Sequence, residues 1–178
     1  MKIEFPLLRG ALARSLFLLF GALLAGAGPA SAAILCAHGH GEHGKDAVAG
    51  VTFGDKARID SIRFHNYNYG EQMARQGYVT LVPDWRSFGE NTNYDQNPYG
   101  GRDKCNIHFL TGLLMGKGLL TLNTWDGWKM LDLLQEMPEV QADALGCMGL
   151  SFGGTMTTYI SATDERVKAA DVICYCTV

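Results

Sequence analysis

Short apolar runs alternate with amphipathic stretches along most of this chain. Residues 33–37 (AILCA) are continuously apolar and end in the glycine-rich turn His38-Gly39-His40-Gly41. Residues 67–76 read as a helix stopped by Gly77, and residues 78–82 (YVTLV) read as a strand closed by Pro83-Asp84. Residues 87–118 lack a period and carry Asn91, Asn93, Asn97, Pro98, Gly100 and Gly101, so an irregular insertion is expected there. Residues 121–137 place Leu122, Trp125, Trp128, Leu131 and Leu134 at helical spacing, with Pro138 as the stop. Residues 144–149 form another apolar run, followed by Ser151 and a helical stretch to about residue 162. Residues 167–176 read as the next strand. Strands without polar alternation are buried on both faces. The predicted architecture is therefore three-layer α/β/α around a mostly parallel sheet.

The first 32 residues follow a different pattern. Lys2, Arg9 and Arg14 outweigh Glu4, residues 16–25 are apolar, and Gly28-Pro29 precede Ala30-Ser31-Ala32. That order matches a secretory leader (residues 1–32) cut after Ala32, ahead of a domain at residues 33–178. The apolar core is too short for a stable membrane span. A true leader implies a secreted or periplasmic protein. A wrongly assigned start, which implies a cytoplasmic one, is the alternative, because the cut would leave a central strand as the raw N-terminus.

Composition narrows the classes further. The chain has 178 residues, 47% hydrophobic and 19% charged, which suits one globular domain. Its formal charge of −3 lacks the basic excess of a nucleic-acid binder. The five cysteines contain no CxxC pair, so neither a zinc ribbon nor a dense disulfide scaffold is expected.

The chemistry concentrates in Gly149-Leu150-Ser151-Phe152-Gly153, a G-x-S-x-G between a strand and a helix. A sharp turn there lifts the Ser151 hydroxyl to the positive end of the helix, with Gly149 and Gly153 clearing space. The Phe152 N–H then points at a developing oxyanion, and the loop after residues 33–37 offers a second donor, the His40 N–H. A rival reading takes His38, His40 and His43, in the run H-x-H-x-E-H with Glu42, as zinc ligands that activate water.

Several motifs together resemble one family. They are His38-Gly39-His40-Gly41, Pro83-Asp84-Trp85-Arg86-x-x-Gly89-Glu90, Trp125-Asp126-Gly127, residues 149–154, and Asp164-x-Arg166-Val167-Lys168-Ala169-Ala170. They resemble the dienelactone hydrolase and acetyl xylan esterase branch of the α/β-hydrolases from about residue 33 to 176. The resemblance implies an α/β-hydrolase fold with neighbouring strands in the order 167–176, 144–149, 33–37, 78–82. It implies hydrolysis of small-molecule or carbohydrate carboxylic esters without a cofactor, by nucleophile Ser151 with the His40 and Phe152 amides as oxyanion hole. Asp84, Arg86 and Glu90 match a family turn of structural character.

In this fold the order along the chain is Ser, then an acid, then His. Asp164, Glu165 and Asp171 follow Ser151, but all five histidines precede it. Asp164 comes too early for the family acid, and His65 or His108 could serve only through an unusual topology. The sequence therefore reads as the central slice of a larger hydrolase, with negligible turnover expected of this chain or a non-catalytic remnant as the alternative. Trp125 and Trp128 read as core or as cover for the sheet, and Cys174 and Cys176 as small buried strand residues. Tyr94, Tyr99 and Phe109 are candidates to line a cleft.

Overall fold

The computed structural model describes residues 16–20, 29–41, 43–92 and 104–175. Tyr94, Tyr99, Glu42, Cys176 and the charged start of the expected leader lie outside them. The elements are β1 (Leu16–Phe20), β2 (Ser31–Ala37), α1 (Gly44–Val48), α2 (Lys56–His65), α3 (Tyr69–Arg75), β3 (Val79–Pro83), α4 (Lys104–Leu114), α5 (Leu119–Glu136), β4 (Val140–Leu150), α6 (Phe152–Thr163) and β5 (Val167–Ile173).

The sheet order is β1-β3-β2-β4-β5. Strands β3, β2, β4 and β5 are parallel, which is the order the family resemblance implies. Strand β1 pairs antiparallel with β3, Leu16 opposite Pro83 and Phe20 opposite Val79. The apolar run that opens the expected leader core is thus an edge strand here. A cut after Ala32 would remove it together with Ser31 and Ala32 of β2.

Successive strand residues face opposite layers, as a pleated strand requires. Leu35, Leu81, Leu145 and Cys147 pack with Trp85, Met130, Leu131 and Leu134 of one layer, where Met156 and Ile160 of α6 also lie. Cys36, Val82 and Met148 pack on Val48, Ala49 and Tyr69 of the other. Helices α5 and α6 cross closely at Gly127, where an added Cβ would lie 2.4 Å from Ile160 Cδ1.

Some expectations need correction. Helices α2 and α4 both escaped the hydrophobic pattern. Helix α2 buries a single residue, Ile62, so it has no apolar stripe to read; its legible signal is Asp55, whose side chain accepts the Ala57 N–H at the N-cap. Helix α4 falls inside the stretch expected to be irregular, and its Phe109, Leu110, Leu113 and Leu114 are exposed. On α5 the buried face includes Asn123, Asp126 and Met130, while Trp125 is exposed and Trp128 half-buried. The polar pair is inside because it holds the loop after β3. Cys174 lies beyond β5, at positive φ, and is exposed rather than buried.

Candidate active site

Strand β4 ends at Leu150 and α6 starts at Phe152, so the chain reverses within Ser151. Its backbone sits at φ 58° and ψ −115°, a strained combination for a residue with a Cβ. The Ser151 N–H donates to the Ile173 carbonyl at 2.9 Å, and its carbonyl accepts the Thr155 N–H at 3.0 Å as α6 begins. The glycines are required by contact with backbone. A Cβ on Gly153 would lie 1.9 Å from the Ala37 carbonyl oxygen, and one on Gly149 would lie 2.5 Å from Gly153.

The loop after β2 runs beside this turn. A Cβ on Gly39 would sit 3.4 Å from Ser151 Cβ. The Gly39 N–H donates to the Tyr67 hydroxyl at 2.8 Å, and the Tyr69 hydroxyl donates to the Ala37 carbonyl at 2.6 Å. Burial holds both phenols above their ordinary range, so they remain neutral tethers of the loop. Sequence reasoning gave neither tyrosine a role, because nothing local distinguishes them from cover for the sheet. His40 is exposed, with its ring 4.9 Å from Phe152 and 5.2 Å from Phe88. Phe88 and Phe152 are 5.3 Å apart, so three rings form one wall next to Ser151.

The histidine run does not converge on a metal. His38 is fully buried; its Nε2 accepts the Trp85 N–H at 3.2 Å and its Nδ1 donates to the Gly39 carbonyl at 2.7 Å. Burial pushes its pKa down against the pull of the Gly39 carbonyl and Asp84, which keeps the ring neutral in that tautomer. His40 faces the aromatic wall and His43 precedes α1. Among the described residues no three His, Cys, Asp or Glu side chains are placed to hold a metal ion. Two further histidines have partners of their own. His65, exposed on α2, bonds the Ser61 carbonyl, and His108 on α4 bonds the Ser87 hydroxyl.

The charged residues after β3 fall into two groups. Asp84 accepts Lys45 Nζ at 2.9 Å, the Lys45 N–H at 2.7 Å and the Glu90 N–H at 3.0 Å. Burial opposes the charge on Lys45, but Asp84 and Glu90 outweigh it and hold the ammonium above its ordinary pKa. Arg86 instead forms a two-pronged pair with Asp126, at 2.6 and 2.7 Å, and its N–H donates to Asn123. The two groups clamp both ends of the turn that carries Trp85, Ser87 and Phe88. Asp164 pairs with Arg166, which depresses its pKa and ties the α6–β5 turn to Asp132 of α5.

The family model for dienelactone hydrolases matches residues 59–177, about two-thirds of the chain. The chain belongs to the dienelactone hydrolase family. It is 27% identical over 124 residues to the provisionally named hydrolase YtaP of Bacillus subtilis (strain 168), an alignment covering 67% of this chain and 38% of that protein. Among solved structures it resembles a provisionally named acetyl xylan esterase from Bacteroides fragilis NCTC 9343, with TM-score 0.68 and 16% identity over 87% of this chain and 39% of the other. It also resembles acetyl xylan esterase 1 from Thermoanaerobacterium sp. JW/SL YS485, with TM-score 0.53 and 19% identity over 81% of this chain and 39% of that one. These structural likenesses carry the α/β-hydrolase fold. The chain spans about two-fifths of the length of each of these proteins.

Proposed function

We propose that this chain carries the nucleophile and oxyanion portion of a serine ester hydrolase. Ser151 attacks the ester carbonyl, and the Phe152 and His40 amides bind the oxygen that becomes negative. The observation that supports this most is the backbone of Ser151, strained at positive φ between β4 and α6 and backed by glycines that admit no side chain. Strain kept at one serine, at the positive end of a helix, suits a hydroxyl displayed for attack. The aromatic wall of His40, Phe88 and Phe152 beside Ser151 favours a compact group against it, and the esterase relatives favour acetylated carbohydrates as the class of substrate. Export through the leader is part of the same proposal, and N-terminal sequencing of the mature protein tests it.

Four of the five histidines are bonded to Trp85, Cys105, Ser61 and Ser87, which supports a reading in which this chain supplies no base to Ser151. Multiple turnover by this chain is therefore negligible, no more than the roughly 10³–10⁴-fold over water that an oxyanion hole alone sustains. With p-nitrophenyl acetate at alkaline pH, where hydroxide takes the Ser151 proton in place of a histidine, peptide mass spectrometry should find slow acetylation of Ser151 above that of the other serines, with no sustained release of p-nitrophenol. Acetylation of the chain unchanged by Ser151→Ala overturns the assignment of the nucleophile. Turnover of about 1–10³ s⁻¹ that requires Ser151 keeps the nucleophile and overturns the expectation of inactivity.

A further inference from the structure

A second nucleophile stands beside the aromatic wall. Cys105 is half-buried in the first turn of α4, and its Sγ lies 3.5 Å from Nε2 of His40. Packing against Phe88 and Phe152 fixes the imidazole, while its exposure lets a small molecule reach the pair from solvent. The other described thiols lack this arrangement. Cys36 and Cys147 are buried, and burial pushes both thiols up, Cys147 to about 12, so they stay protonated and inert. Cys174 is exposed at the end of β5.

We infer that Cys105, with His40 as its base, is a covalent modification site for soft carbon electrophiles such as alkyl halides and α,β-unsaturated carbonyls. Nε2 of His40 takes the thiol proton, and the imidazolium and the start of α4 both stabilise the thiolate. With an alkyl halide, the S–C bond forms as halide leaves. With an enone, the S–C bond forms at the β-carbon and a proton is returned to the α-carbon. The adduct then stands against His40, one ring from the residue that follows Ser151.

The test is iodoacetamide labelling of the full chain across pH 5.5–9.5, with the alkylated fraction of each cysteine read by peptide mass spectrometry. The midpoint of the Cys105 pH–rate profile should fall at least about one unit below that of Cys174, the exposed thiol that serves as the internal reference. His40→Gln should move the Cys105 midpoint up to that of Cys174. It should also slow labelling at pH 7 by about threefold, the gain in thiolate being partly offset by the lower nucleophilicity of a low-pKa thiolate. Protection of Cys36 and Cys147 in the variant checks its fold, and the unmodified chain supplies a readout that needs no variant. Coincident midpoints for Cys105 and Cys174 in the unmodified chain, or a Cys105 profile unchanged in folded His40→Gln, overturn the inference.

Discussion

Replacing Asp84 by asparagine tests the clamp that shapes the site. The Asp84 and Lys45 side chains are 1% and 2% exposed, so their attraction operates away from water. Gly44 and Gly89, both at positive φ, leave room for the carboxylate; a Cβ on either would lie 2.2–2.3 Å from it. Asp84→Asn leaves the Lys45 ammonium buried without its principal partner and gives one backbone N–H an amide NH₂ where it had an oxygen. Breaking a buried pair from one side costs about 3–5 kcal/mol. Glu90 stays 3.2 Å from Lys45 Nζ and is 58% exposed, which places the loss at the lower end, about 3 kcal/mol. For a urea dependence of about 2 kcal/mol per M, the unfolding midpoint drops by about 1.5 M. The assay is a urea titration at pH 7 followed by tryptophan fluorescence, to which the buried Trp85 contributes. Glu90→Gln, which removes a solvated charge, should cost less than about 1 kcal/mol in the same titration. If Asp84→Asn shifts the midpoint no further than Glu90→Gln does, the claim that this pair is desolvated and bracing the turn is wrong.

Three further outcomes are expected. Gly153→Ala should abolish soluble, cooperatively folding protein, because its Cβ meets the Ala37 carbonyl at 1.9 Å with backbone on both sides; near-UV circular dichroism of a normally folded variant would contradict this. His38 is held neutral in the fold below its ordinary pKa of 6.5, so the unfolded chain takes up a proton that the folded chain refuses. Stability should therefore be intact above about pH 6.5 and fall below it by at most about 1.4 kcal/mol per pH unit. Urea midpoints from pH 7.5 to 5 should show that slope and lose most of it in His38→Gln; an undiminished slope refutes the assignment. Arg86→Lys keeps the charge but loses the two-pronged contact with Asp126, and a thermal melt should show a loss of about 1 kcal/mol, discounted because Arg86 is 41% exposed.

The sequence by itself determined the positions of the four parallel strands, the layered fold and the elbow at Ser151. These follow from local rules: a run of AILCA or YVTLV has only one use when both faces are covered, and G-x-S-x-G between a strand and a helix permits one kind of turn. The order of the sheet was legible only through resemblance, since pairing joins residues far apart, such as Cys36 with Met148. Tertiary structure alone decided what the polar groups do. Lys45 and Asp84 are 39 residues apart, Arg86 and Asp126 40 apart, and Cys105 and His40 65 apart. A side chain's partner across such distances depends on how the layers stack, which no window of sequence encodes. The same holds for Asn123 and Asp126 on α5: an amphipathic pattern assigns polar residues to solvent, and only the turn after β3, packed onto that helix, turns them inward. Strand β1 shows the converse, since residues 16–20 have the apolar character of a leader core and of a strand alike. Pairing with the edge of β3 is a tertiary fact.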